Sequence, residues 1–220
     1  VEKIVKKKVR NINPIQTHIG DVPMEEKIAY LKECNEITRA VDPRLVRVRS
    51  GLYYNRKDIE IFNAESAIGC QFENFEERGR LSLTAIAAGE DGQMESDFSG
   101  PGRFSGWEWF KNELDYKAKA KEVGEKAILM LTAKECPSGR YTVVIANGWG
   151  GVLFHEACGH SLEATATAKK LSVFSDSIGK QIASPLVTAY DDGTMPNEWG
   201  SNNIDSEGNP TKKNPLIKNG

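Results

Sequence analysis

"RLVRVRSGLYY", residues 44–54, alternates apolar and basic side chains at Val46, Arg47, Val48 and Arg49. A period of two sends successive side chains to opposite faces, so this stretch predicts a β-strand with one face on a core. "DIEIFN" (58–63) alternates in the same way, and "SAIGCQFENFEE" (66–77) and "RLSLTAIAAG" (80–89) continue as strand material. "EDGQ" (90–93) predicts a hairpin turn. Short strands joined by polar turns read as an antiparallel meander.

Helices flank the meander. Upstream, Pro23 and two glutamates open "MEEKIAYLKECNEITRA" (24–40), which suits a helix N-terminus. Ile28, Leu31 and Ile37, with Ala29 and Ala40, form its expected apolar stripe. Downstream, the glycine-rich "SGPGRFSGW" (99–107) predicts a loop. "WEWFKNELDYKAKAKEVGEKAILMLTA" (107–133) predicts one long helix with Val123, Ala127 and Met130 on one side. "KECPSG" (134–139) breaks it. The expected organisation is a leader over 1–23, the remnant of an N-terminal domain, then an α+β domain of helix, antiparallel meander and helix over 24–137. A mostly β portion carrying one motif helix follows over 138–220. There the β-branched run "YTVVIA" (141–146) predicts a buried strand, and "LSVFSDS" (171–177) and "KQIAS" (180–184) predict short ones.

Composition limits the function classes. Hydrophobic residues make up 39% and charged residues 27%, ordinary for a globular protein with a core. No apolar run reaches the roughly 20 residues that span a bilayer, and no signal peptide is visible. The net charge of −2 argues against a nucleic-acid partner. The Lys6-Lys7-Lys8 run reads as the solvated face of a helix. Cys34, Cys70, Cys136 and Cys158 are widely spaced without a C-x-x-C pair, which points away from a zinc ribbon and toward a reducing cytoplasm. The chain opens on Val1 rather than Met and closes on "NPLIKNG", which reads as a piece of a longer protein.

The chemistry sits in "GGVLFHEACGHSLEATA" (150–166), where His155 and His160 enclose Glu156 in an H-E-x-x-x-H pattern. In H-E-x-x-H, four helical steps of about 100° bring both histidines to one face. Five steps separate them by about 140° on a regular α-helix, so they reach one ion only if the helix is irregular. A π-bulge with its i to i+5 bonding would realign them, as would ending the helix before His160. Gly159 is the residue best able to permit either. Glu156 is placed to take a proton from an attacking water and return it to a leaving amine. Two histidines and a glutamate also make an ordinary polar helix face, and spacing alone does not choose. Cys158 reads as a small packed side chain, and His18 as a surface residue of the leader. Asp191, Asp192, Glu198, Asp205 and Glu207 read as turn residues. Trp107, Trp109, Trp149 and Trp199 read more readily as packing than as a peptide-stacking surface.

The motif stretch, with "DDGTMPNEWGS" (191–201) and "DSEGNPTKKNPLIKNG" (205–220), resembles the TldD/PmbA family, specifically its TldD-type subunit. The helix–meander–helix segment and "SGPGRFSGWEWF" (99–110) resemble that family's central domain. The PmbA (TldE) subunits lack the histidine pair. The resemblance implies a cytoplasmic zinc metallopeptidase that cleaves peptides and pairs with a PmbA/TldE-type sister subunit or with itself. His155 and His160 match the family's two histidine ligands to Zn2+, and Glu156 matches its catalytic acid. The third ligand, a cysteine, lies far downstream in the family and has no counterpart up to Gly220. A second reading is a non-catalytic binding or regulatory subunit of such a complex, and the intact Glu156 between two histidines counts against it.

Overall fold

The computed structural model describes residues 3–64, 68–148 and 150–220. It divides into two compact units: residues 1–134 with 192–212, and residues 135–191 with 213–220. The fold is α+β, as the patterning predicts.

The first unit is organised on one long strand. Strand β3 (Ile68–Ala88) pairs along one edge with β2 (Leu45–Asn63) in antiparallel register from Leu45↔Ala87 to Asn63↔Cys70. Its other edge is shared by three short strands. These are β1 (Lys3–Lys7, parallel), β4 (Met94–Ser99) and β5 (Gly102–Arg103), the last two antiparallel. The meander therefore has fewer and longer strands than expected. "RLVRVRSGLYY" and "DIEIFN" are one strand, because Asn55, Arg56 and Lys57 keep the ladder on an exposed face where polar residues carry no penalty. The turn at 90–93 forms as read, with Gly92 at φ 83° and the Gly89 N–H donating to the Gln93 carbonyl at 2.8 Å.

Two helices cover one face of this sheet. Helix α1 (Met24–Arg39) buries Lys27, Tyr30, Cys34 and Thr38, whereas Ile28 is exposed. The buried face is thus rotated from the expected apolar stripe, since Leu31 and Ile37 only flank the core. The predicted long helix is interrupted. A π-helical turn (Trp109–Glu113) ends at Leu114, and Asp115 then caps α2 (Tyr116–Met130) by accepting from the Ala118 N–H at 2.9 Å. Val123 and Ala127 are buried as expected, but Met130 is exposed. Helix α2 lies close enough to α1 that a Cβ on Gly124 would sit 3.2 Å from the Thr38 carbonyl oxygen. The Thr38 hydroxyl crosses the same gap to the Ala120 carbonyl at 2.8 Å. Leu81, Leu83, Ala85 and Ala87 of β3 close the core beneath both helices.

The N-terminal segment belongs to this unit. Lys6 and Lys7 lie on β1, not on a helix face, and Lys6 pairs with Glu73. His18 is not a free surface residue: its Nδ1 lies 2.6 Å from Oε2 of Glu77, whose other oxygen accepts from the Ile19 N–H at 2.7 Å. Glu77 is fully buried, so these bonds satisfy a carboxylate at an inward position of β3. Residues 192–212 are fastened by a second buried network. The Asn13 side chain accepts from the Asn197 N–H at 2.7 Å and from the Ser201 hydroxyl at 2.9 Å, and Asn203 donates to Asn74 at 3.0 Å.

The second unit carries α3 (Gly150–Phe154), the motif turns, α4 (Ala164–Ala168) and a two-stranded sheet of β6 (Ala189–Asp192) and β7 (Lys213–Ile217). "YTVVIA" is neither a strand nor buried: Val144 is 98% exposed. A β-branched run forms a strand only where another strand accepts its backbone bonds, and no described residue pairs with it. Residues 171–177 form turns and 180–184 irregular chain, for the same reason.

Candidate metal centre

The motif begins as ordinary α-helix. Gly148, at φ 82°, turns the chain into α3, which runs to Phe154. From His155 to Gly159 the helix is π-helical, and the His160 N–H donates to the His155 carbonyl in an i+5 to i bond. The chain then tightens into a 3-10 turn, His160–Leu162. This is the irregularity that the H-E-x-x-x-H spacing requires.

The π turn brings the histidines together. Their ring centroids are 4.2 Å apart with planes inclined at 63°. Ligand atoms of His155, Glu156 and His160 all lie within 4.8 Å of one another, and all three residues are exposed. Glu156 Oε2 is 3.9 Å from His160 Nε2. Gly159 contributes differently from expectation. Its φ of −55° and ψ of −56° are ordinary helical values, so no special backbone freedom is used. What matters is the missing side chain: a Cβ at Gly159 would sit 3.1 Å from His155 Nδ1.

Glu163 was not singled out by the sequence. Its Oε1 lies 2.7 Å from His160 Nδ1, and this hydrogen bond, opposed by desolvation and helped by the charges of Glu163 and Glu156, raises the pKa of the imidazole. A carboxylate on one ring nitrogen fixes the ring and leaves Nε2 for a ligand, the usual outer partner of a metal-binding histidine. The signal for it was the i+3 spacing from His160 to Glu163, which places both on one side of a helical turn.

The other candidates fall elsewhere. Cys158 is half-buried inside the π turn and outside the convergent group. Asp192 accepts from the Thr194 N–H and hydroxyl, Asp205 from the Glu207 and Asn209 N–H groups, and Glu198 pairs with Arg103. Trp107 and Trp109 are core residues, Trp199 is exposed, and Trp149 lies outside the described residues. The two imidazoles are donors that suit a divalent metal ion, and the Glu156 carboxylate stands beside them within the same 4.8 Å group.

Comparison with known proteins agrees with this chemistry. Residues 17–131 match the model of the PmbA/TldA metallopeptidase central domain, and residues 138–220 match that of the PmbA/TldA metallopeptidase C-terminal domain. The chain is 34% identical over 225 residues to a Metalloprotease TldD homolog of Buchnera aphidicola, covering 100% of this chain and 45% of that protein. It is 35% identical over 218 residues to the Haemophilus influenzae homolog, covering 95% and 44%. The chain therefore spans about half the length of the curated relatives it matches. A crystal structure from Bacteroides thetaiotaomicron, of a candidate modulator of DNA gyrase, shares the fold with a TM-score of 0.76 at 19% identity over 96% of this chain and 46% of that one. TldE from Thermococcus kodakarensis shares it with a TM-score of 0.61 at 17% identity, covering 97% and 46%.

Proposed function

The chain belongs to the PmbA/TldD metallopeptidase family, and from that premise we propose that its motif turn is the catalytic centre of a zinc-dependent peptidase. The observation that carries this reading is the convergence of His155, Glu156 and His160 at a π turn. His155 and His160 hold the ion, with Glu163 fixing the His160 ring. In line with the resemblance, a cysteine of the C-terminal portion found in family-length proteins completes the ligand set. Bound zinc supplies Lewis acidity toward the scissile carbonyl.

Glu156 is the proton carrier. Its carboxylate accepts a proton from the attacking water as the new C–O bond forms. It then delivers that proton to the amide nitrogen as the C–N bond breaks. Its exposure leaves the carboxylate open to an extended substrate. Peptides are the proposed substrates, and a TldE-type subunit of like fold, or a second copy, is the proposed partner. The proposed site of action is the cytoplasm. Among the described residues no helix is long and apolar enough to cross a membrane.

The test is Glu156→Gln in a polypeptide of full family length. Zinc content should be retained while peptide cleavage falls by about 100-fold or more, the contribution typical of a general base. Cleavage at the unmodified rate would remove Glu156 from the reaction.

A further inference from the structure

The face of the β2–β3 sheet turned away from the helices carries a groove of about 580 Å³. Its floor follows from the register. On β3, Leu81 and Leu83 face the core, so Arg78, Arg80 and Ser82 point the other way. On β2, Tyr53 stands opposite Arg80, Asn55 opposite Arg78, and Lys57 opposite Glu76. Phe98 of β4 supplies one wall, with the Arg80 guanidinium 5.4 Å from its ring centroid. Trp199 supplies another, held there by Arg78, which donates to the Trp199 carbonyl at 2.9 Å and the Ser201 carbonyl at 2.9 Å.

The charges in this groove are unbalanced. Arg78 is neutralised by Glu76 at 2.6 Å. Among the described residues, no carboxylate reaches ion-pair distance of Lys57 or Arg80. Three aromatic rings are left open beside them: Tyr53 is 63% exposed, Phe98 48% and Trp199 47%. Neighbouring exposed aromatics form an apolar patch of the kind that marks interaction surfaces. A volume of this size holds a few peptide residues.

We infer that this groove binds an acidic peptide segment, its carboxylates on Lys57 and Arg80 and an aromatic or aliphatic side chain among Tyr53, Phe98 and Trp199. Two cations in a single pocket do not form the continuous basic track that a nucleic-acid backbone needs. The site is built entirely from the first unit. It goes beyond the metal centre and does not depend on it.

The experiment is fluorescence anisotropy of the 220-residue chain with a labelled, N-acetylated and C-amidated peptide whose core is Glu-Phe-Glu. The same peptide with Gln-Phe-Gln or Glu-Ala-Glu serves for comparison, as does a short single-stranded DNA of similar charge. The Glu-Phe-Glu peptide should bind, and each altered peptide should bind more weakly. The double variant Lys57→Gln, Arg80→Gln should weaken binding about five-fold or more, as expected for two exposed charge contacts. Lys57→Gln alone, at an exposed strand position, gives part of that loss with the fold untouched, checked by circular dichroism. Glu156→Gln should leave binding unchanged, so failure here is separate from failure of the peptidase reading. Equal binding of the Glu and Gln peptides, no binding, or tighter binding of the DNA would overturn the assignment.

Discussion

The imidazole of His155 lies edge-on to that of His160, with ring centroids 4.2 Å apart, although they stand five positions apart in sequence. A regular α-helix would turn the two side chains about 140° from each other. The contact exists because the His160 N–H bonds back to the His155 carbonyl. The helix widens by one residue where the motif is one residue longer than H-E-x-x-H.

Gly159 leaves the space that the His155 ring occupies. In Gly159→Ala the added Cβ, 3.1 Å from Nδ1, must push the ring by a few tenths of an ångström. Alanine is also the better helix former, by about 1 kcal/mol. The variant should therefore keep or gain helical circular dichroism while zinc affinity, measured by competition with a chromogenic chelator, falls several-fold. Unchanged affinity would mean that the space beside His155 has no part in binding.

Glu163 holds His160 Nδ1 at 2.7 Å and lies outside the convergent group of His155, Glu156 and His160. Glu163→Ala should lower zinc affinity by about ten-fold, the lower end for an outer-partner loss. The residue is exposed, so the thermal midpoint should barely move. A fall in midpoint with affinity intact would make Glu163 a structural residue only.

How much of this was legible in sequence depends on what each element needed from afar. Helix α1 and the turn at Gly92 rest on local chemistry, a proline–glutamate start and a positive-φ glycine, and both were readable. So was the demand for an irregular helix at "HEACGH", because it is a matter of angles along one element. The 19 residues of β2 were not, since Asn55, Arg56 and Lys57 look like a turn until β3 is seen to pair with them. "YTVVIA" failed for the converse reason: its strand propensity finds no ladder among the described residues. The His18–Glu77 pair was hidden because the two residues are 59 positions apart. An acid at an inward position of an alternating strand was its only trace.

Acid sensitivity of the first unit follows from three carboxylates that tie its helical segments. Glu122 sits between Lys119 at 2.8 Å and Lys126 at 2.6 Å, which hold its pKa at about 2. Glu33 is held low by Lys117 and the Tyr116 hydroxyl, and Glu26 by the Trp107 indole N–H and Lys111. Each folded value lies below the ordinary 4.5. Their stabilisation is present above that pH and is lost as pH falls through each lowered value, which for Glu122 is about 2. All three are only half-buried, so the effect is modest and screened by salt. The thermal midpoint should drop across this window, less steeply in Glu33→Gln than in the unmodified chain. Identical slopes would show that the Glu33 contacts contribute nothing.

The central claim is that the π turn delivers two imidazoles to one ion. X-ray absorption at the zinc edge, on a polypeptide of full family length loaded with one equivalent of zinc, reads this directly. The account predicts two imidazole nitrogens at about 2.0–2.1 Å, falling to one in His155→Ala and in His160→Ala. Zinc seen with one imidazole or none in the unmodified chain would contradict it.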